Sequence, residues 1–189
     1  MGISLGLDVS TSNTGVAFLD DHGKILKLDH IDFKGCETFW QKCDRLRARF
    51  RDFYYEYPVL TNFYIEEPMK RFATGFSSAE VISMLQRFNG IACFLARETW
   101  GIDPVYINVA SARKMAGIKV TTKAKAGGRD VKTQTFDHMM QSDLAHMVWP
   151  TKMRSEKVVD WAKDIVDAYV IAKAGSVLQQ RELNTILTK

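Results

Sequence analysis

The chain has 189 residues, 46% of them hydrophobic and 25% charged, close to globular averages. This excludes a disordered, collagen-like or membrane-dominated protein and leads us to expect one compact domain spanning 1–189. The formal charge of +4 is unevenly spread.

From Ser111 to Lys132 seven basic side chains, Arg113, Lys114, Lys119, Lys123, Lys125, Arg129 and Lys132, face Asp130 alone, a local +6; the nineteen basic and twenty-one acidic residues elsewhere give −2. A positive patch on a nearly neutral body suits an anionic partner such as nucleic acid, against the plainer reading of a solvated lysine-rich loop. Cys36, Cys43 and Cys93 form no CxxC pair and the four histidines lack zinc-finger spacing. Neither disulfides nor structural zinc are therefore expected. The start MGISLGLD has no basic leader and no apolar run reaches bilayer length, so the expected setting is the cytoplasm, with no membrane partner.

In chain order, Ile3, Leu5, Leu7 and Val9 alternate with Ser4, Gly6, Asp8 and Ser10, the pattern of a half-buried strand with Asp8 on its polar side. A Ser/Thr/Asn turn leads to a second run, Val16 to Leu19, and Asp20, Asp21 and Gly23 turn the chain into a third, Lys24 to Ile31, completing an antiparallel meander. A helix is expected over 37–57, stopped by Pro58, with Arg45, Arg47, Arg49 and Arg51 on a solvated face. A strand follows over 61–66, with Phe63 and Ile65 opposite Asn62, Tyr64 and Glu66. Ser77 or Ser78 can cap a helix over 78–99 whose second half is apolar almost all round, as suits a helix covered on two sides, one of them by a second subunit. A short strand over 104–107, the basic segment, and helices over 131–146 and 155–187 complete a mixed α/β sheet with helices on both faces.

The informative residues are acids in places that disfavour them. Asp8 lies in an apolar strand, Glu66 ends another with Glu67 beside it, and Asp164 and Asp167 share a helical face among Ile165, Val166, Ala168, Val170 and Ile171. Carboxylates at a core edge need a cation or a function. Four of them, without histidine or thiolate, make a hard-oxygen site suited to Mg²⁺ or Mn²⁺. Two such ions about 3.5 to 4 Å apart can activate water and stabilise a leaving oxygen in phosphodiester hydrolysis.

These residues carry a resemblance. ISLGLDVSTSNTGVAFLD, FYIEEP, RDVKTQTFDHMM and DIVDAYVIA, in that order, resemble the segments of the RuvC-type Holliday junction resolvases of the ribonuclease H-like superfamily. The resemblance implies a five-stranded mixed sheet, three strands antiparallel and then two parallel. It also implies a Mg²⁺-dependent endonuclease with two ions per site, Mn²⁺ able to substitute, acting on branched DNA as a homodimer that makes paired nicks. Carried over residue by residue, it makes Asp8 the shared metal ligand, Glu66 the second, with Glu67 as alternative, and Asp164 with Asp167 the remainder. Lys132 falls at a lysine near the scissile phosphate and Lys114 at a DNA-contacting lysine. Where bacterial members place a wedging aromatic after the glutamate, Met69 stands here, with Phe72 and Phe76 beyond; Phe72 is expected to contact DNA together with the basic segment. The dimer interface is expected on the 78–99 helix. The stretch between Lys132 and Asp164 is longer than in bacterial members, adding the Met- and Trp-containing region from Ser142 to Arg154, so the chain looks more like the divergent resolvases of phages and viruses.

Three other readings compete. LDVSTSNTGVAFLD also resembles the first phosphate loop of sugar kinases and actin-like ATPases, but DIVDAY lacks the glycine of their second loop and the chain is short for two such domains. A nuclease of broader taste for flaps or RNA-containing duplexes keeps the fold and changes the substrate. A non-catalytic junction-binding protein would have no reason to retain four acids.

Overall fold

The computed structural model describes residues 2–68, 79–152 and 157–187. Strands β1 (Ile3–Val9), β2 (Asn13–Asp20) and β3 (Ile25–Asp32) form the meander, followed by α1 (Phe39–Glu56), β4 (Asn62–Glu66), α2 (Ala79–Trp100) and β5 (Val105–Ile107). A short α3 (Val109–Met115), α4 (Val131–Met140) and the long α5 (Asp160–Leu187) complete the chain. The sheet order is β3-β2-β1-β4-β5, with β1 to β3 antiparallel and β4 and β5 joined in parallel. The fold is the expected ribonuclease H-like sheet.

Local chemistry explains most of the boundaries. Thr38 and Gln41 form a reciprocal capping box that starts α1, which ends before Pro58. Asn108 accepts from the amides of Ala110 and Ser111 to start α3, a helix that alternation and composition did not reveal, and Asp130 accepts from Thr133 to start α4.

Three expectations about extent are corrected. Helix α4 stops at Met140, where turns take over and Leu144 tucks into the core. Helix α5 begins at Asp160 rather than 155, because Val158 bridges Thr151 antiparallel and the Lys157 carbonyl accepts from the Lys152 amide. β1 is not half-buried: Ser4 to Asp8 are buried on both sides. Leu5 and Leu7 face an apolar layer with Leu46, Phe50 and Phe53 of α1 and Phe88, Ala92 and Leu95 of α2. Gly6 faces α5, where an added Cβ would strike the Ala168 carbonyl and Ala172. Strand β2 is buried through its length for the same reason, with Val16 and Phe18 on the α1 side and Ala17 and Leu19 on the α5 side. Among the described residues no helix is long and apolar enough to cross a membrane.

Candidate active site

Pairing brings Asp8 opposite Gly15 across β1 and β2. A Cβ at Gly15 would overlap the Asp164 carbonyl group, so glycine there lets the first turns of α5 rest on the sheet beside Asp8. The parallel register pairs Gly6 with Tyr64 and Leu7 with Ile65. One residue further, Glu66 lies on the Asp8 side of the sheet, and Glu67, just past the end of β4, lines the cleft beside it. Three elements that are far apart in sequence thus deliver Asp8, Glu66, Asp164 and Asp167 to one end of the sheet.

Lys132, at the start of α4, sits among them. Its Nζ donates to Asp8 Oδ2 at 2.7 Å and Asp164 Oδ1 at 2.6 Å, and stands 3.6 Å from Asp167 Oδ2. Arg113 on α3 donates from Nη2 to Asp167 Oδ1 at 2.9 Å, and both side chains are buried. Asp167 Oδ2 has no hydrogen-bond partner among the described residues. Next to this group is a cleft of about 250 Å³ lined by Asp8, Glu66, Lys132, Ser10, Ile82 and Asn89, among others. Asn89 is buried and donates to the Glu66 carbonyl, fixing the end of β4 to α2.

The electrostatics are those of crowded acids. Burial, then the neighbouring Asp8 charge, pushes the Glu66 carboxyl up to about 9. Burial and Asp8 push Asp167 up to about 6 against the pull of Lys132 and Arg113, and burial raises Asp164. Burial alone would lower Lys132; the charges of Asp8, Asp167 and Asp164 outweigh it and hold the ammonium above its ordinary value.

No three of the described His, Cys, Asp or Glu side chains cage an ion as they stand, since the Lys132 ammonium occupies the centre. The donor set nevertheless fits a hard divalent cation: it is all carboxylate, it is partly stripped of water, and one buried oxygen, Asp167 Oδ2, lacks a donor.

The structure divides the expected DNA-contacting residues. Lys114, Lys119, Lys123, Lys125 and Arg129 are exposed, Arg129 also pairing with Asp137 at 2.9 Å. Gln134 ties this surface to α4, accepting from the Thr121 amide and donating to the Thr121 and Arg129 carbonyls. Arg113 is set apart: with only 9% of its surface exposed and bound to Asp167, it faces the acids. Sequence reading missed this because its partner is 54 residues away; the Asn108 cap and the apolar spacing Val109, Ala112 were the available signal. Met69, Phe72 and Phe76, the wedge candidates, and the serine caps at 77 and 78 lie outside the described residues. On α2, Phe94 in the apolar second half is exposed at 59%, as is Val81 in the first turn at 47%, so a single chain leaves part of that half uncovered. The Ser142–Arg154 stretch, described to residue 152, is anchored by Asp143, which accepts from the Tyr169 hydroxyl at 2.8 Å and pairs with Lys173.

No protein-family model and no curated protein match the sequence. Among solved structures, Thermus thermophilus RuvC in complex with a Holliday junction substrate is similar over 95% of this chain and 96% of that one, with a TM-score of 0.63 at 12% identity. A second Thermus thermophilus RuvC structure matches over 94% and 96%, with a TM-score of 0.58 at 14% identity. The chain therefore has a RuvC-like fold.

Proposed function

We propose that this protein is a divalent-ion-dependent endonuclease that resolves four-way and related branched DNA junctions, working as a homodimer that nicks paired strands. The observation that supports it most is the convergence of Asp8, Glu66, Asp164 and Asp167 beside a cleft on a RuvC-like fold, with an exposed basic surface carried on the same helix unit as Lys132.

Asp8, flanked by Glu66 on one side and the α5 acids on the other, is the natural shared ligand; Asp164, Asp167 and Glu66 complete the set. Bound Mg²⁺, or Mn²⁺ in its place, two per site, would lower the pKa of an attacking water and offset charge on the leaving oxygen. The chain's own residues do the rest. Lys132 neutralises the acids in their absence, and its flexible stem lets the ammonium leave Asp8 and Asp164 for a phosphate oxygen. Lys114, Lys119, Lys123, Lys125 and Arg129 hold the backbone without reading sequence. The exposed apolar residues of α2 are the proposed dimer contact, and the reaction places the protein in a DNA-containing compartment, the cytoplasm of a bacterium or of a phage-infected cell.

The test is a panel of four-way junction, flap, RNA–DNA hybrid and linear duplex, each incubated with Mg²⁺ and with chelator. Ion-dependent, paired nicking of the junction in preference to linear duplex is expected. Equal cleavage of every substrate would replace a dedicated resolvase with a general nuclease, and binding without cleavage would leave a junction-binding protein.

A further inference from the structure

Arg113 belongs to no expected ligand set, yet it is the basic residue most deeply committed to the site. Its Nη2 holds Asp167 Oδ1 at 2.9 Å, with 11% of the Arg113 side chain and 1% of the Asp167 side chain exposed. The carboxylate is thereby split into two unlike oxygens. Oδ1 is occupied by a guanidinium that cannot give up its charge. Among the described residues Oδ2 has no hydrogen-bond partner, and it stands 3.6 Å from the Lys132 ammonium, on the side of Asp8 and Asp164. The Arg113 backbone is held as well: its carbonyl accepts from the Ile118 amide as α3 ends, so the guanidinium extends from a fixed base.

Resting on the divalent-ion site proposed above, we infer that Arg113 is a positioning residue that selects the metal, by leaving Asp167 able to ligate through Oδ2 alone. The consequence follows from coordination chemistry. Mg²⁺ and Mn²⁺ accept single-oxygen carboxylate ligands in tight octahedra, whereas Ca²⁺ takes six to eight oxygens and readily uses both oxygens of one carboxylate. A guanidinium on Oδ1 denies that second oxygen, and so favours the smaller ions. Groups that orient a ligand in this way shift metal affinity by about 10- to 100-fold when removed.

The experiment measures binding of Mn²⁺ and of Ca²⁺ separately, by calorimetry on the whole DNA-free chain, for wild type, Arg113→Lys and Arg113→Met. Wild type is expected to prefer Mn²⁺. Arg113→Met, which frees Oδ1, is expected to narrow the Mn²⁺ over Ca²⁺ ratio by about tenfold or more, chiefly by gaining Ca²⁺ affinity. Arg113→Lys keeps the buried charge and one donor, and should fall between the two. Because loss of the guanidinium alone weakens repulsion of any cation equally, a general rise in affinity with an unchanged ratio would overturn the inference. If Arg113→Met does not fold, the ratio in Arg113→Lys decides: a wild-type ratio there overturns the inference and a narrowed one supports it. Wild type that binds neither ion would overturn the metal site itself, and this inference with it.

Discussion

The two faces of the sheet are packed by opposite means. On the α1/α2 face, bulky side chains set the spacing: Phe18 stacks on Tyr57 with ring centroids 4.5 Å apart and meets Phe53 edge-on at 5.4 Å, while Phe33 and Phe88 meet at 5.2 Å. On the α5 face, the spacing is set by the absence of side chains. Gly6 and Gly15 on the sheet admit the backbone of Ala168 and Asp164, and Gly175 on the helix admits the ring of Tyr64. The aromatic face stores burial energy, and the buried acid at its edge, Asp20, is satisfied by the His22 and Lys24 amides. The glycine face brings two helical carboxylates against a strand carboxylate, an arrangement that costs stability and creates a site. Here the close approach, and not the charge pattern alone, assembles the candidate site.

The comparison breaks first at Gly15. Gly15→Ala drives a Cβ into the Asp164 carbonyl group, where no side chain can yield, so junction cleavage should fall to background and thermal unfolding should shift markedly downward, read by circular dichroism. A variant that melts and cuts like wild type would show that α5 does not need this contact. Next in size is Lys132→Met, which should reduce cleavage by about 10²–10³-fold, as loss of one aimed charge does. It should also tighten divalent-ion binding, because the resident ammonium no longer competes. Weaker ion binding in that variant would contradict its role as a stand-in counter-ion.

The aromatic face should respond in the other sense. Phe50→Ala, at a fully buried position, should cost about 3–5 kcal/mol of stability in a denaturant titration while leaving cleavage per folded molecule unchanged. A specific loss of cleavage would mean the two faces are coupled. The last effect is pH-dependent. Glu66 has its carboxyl raised from 4.5 to about 9, so the folded state binds its proton more tightly than the unfolded chain does. In chelator, this contribution is fully present below about pH 4.5 and is lost as pH rises toward about 9. Asp167, raised from 3.8 to about 6, adds the same sign over its own window. Glu66→Gln should flatten the wild-type decline in unfolding temperature between about pH 5 and 9; an equal slope in both proteins would remove Glu66 from the buried cluster.

Much of this was legible because it is local. Period-2 alternation and turn residues found β1 to β4 and put Asp8 and Glu66 on the polar side of their strands, and the i, i+3 spacing put Asp164 and Asp167 on one face of α5. What was not legible depends on contacts across the chain. Two-sided burial of β1 and β2 needs α5, more than 140 residues on, and nothing local marks Gly15 as its seat. The basic segment read as one patch because charge counts do not see orientation: Lys114 and Arg113 are neighbours about 100° apart on α3, one exposed and the other sealed against Asp167.

The central claim, that the acids gathered on the glycine face form a nuclease site for branched DNA, is tested most directly by Asp8→Asn on a four-way junction with Mg²⁺, scoring nicks and binding in the same samples. The account predicts that wild type makes paired nicks and that the variant binds the junction as well as wild type and makes none. Undiminished cutting by Asp8→Asn would contradict it.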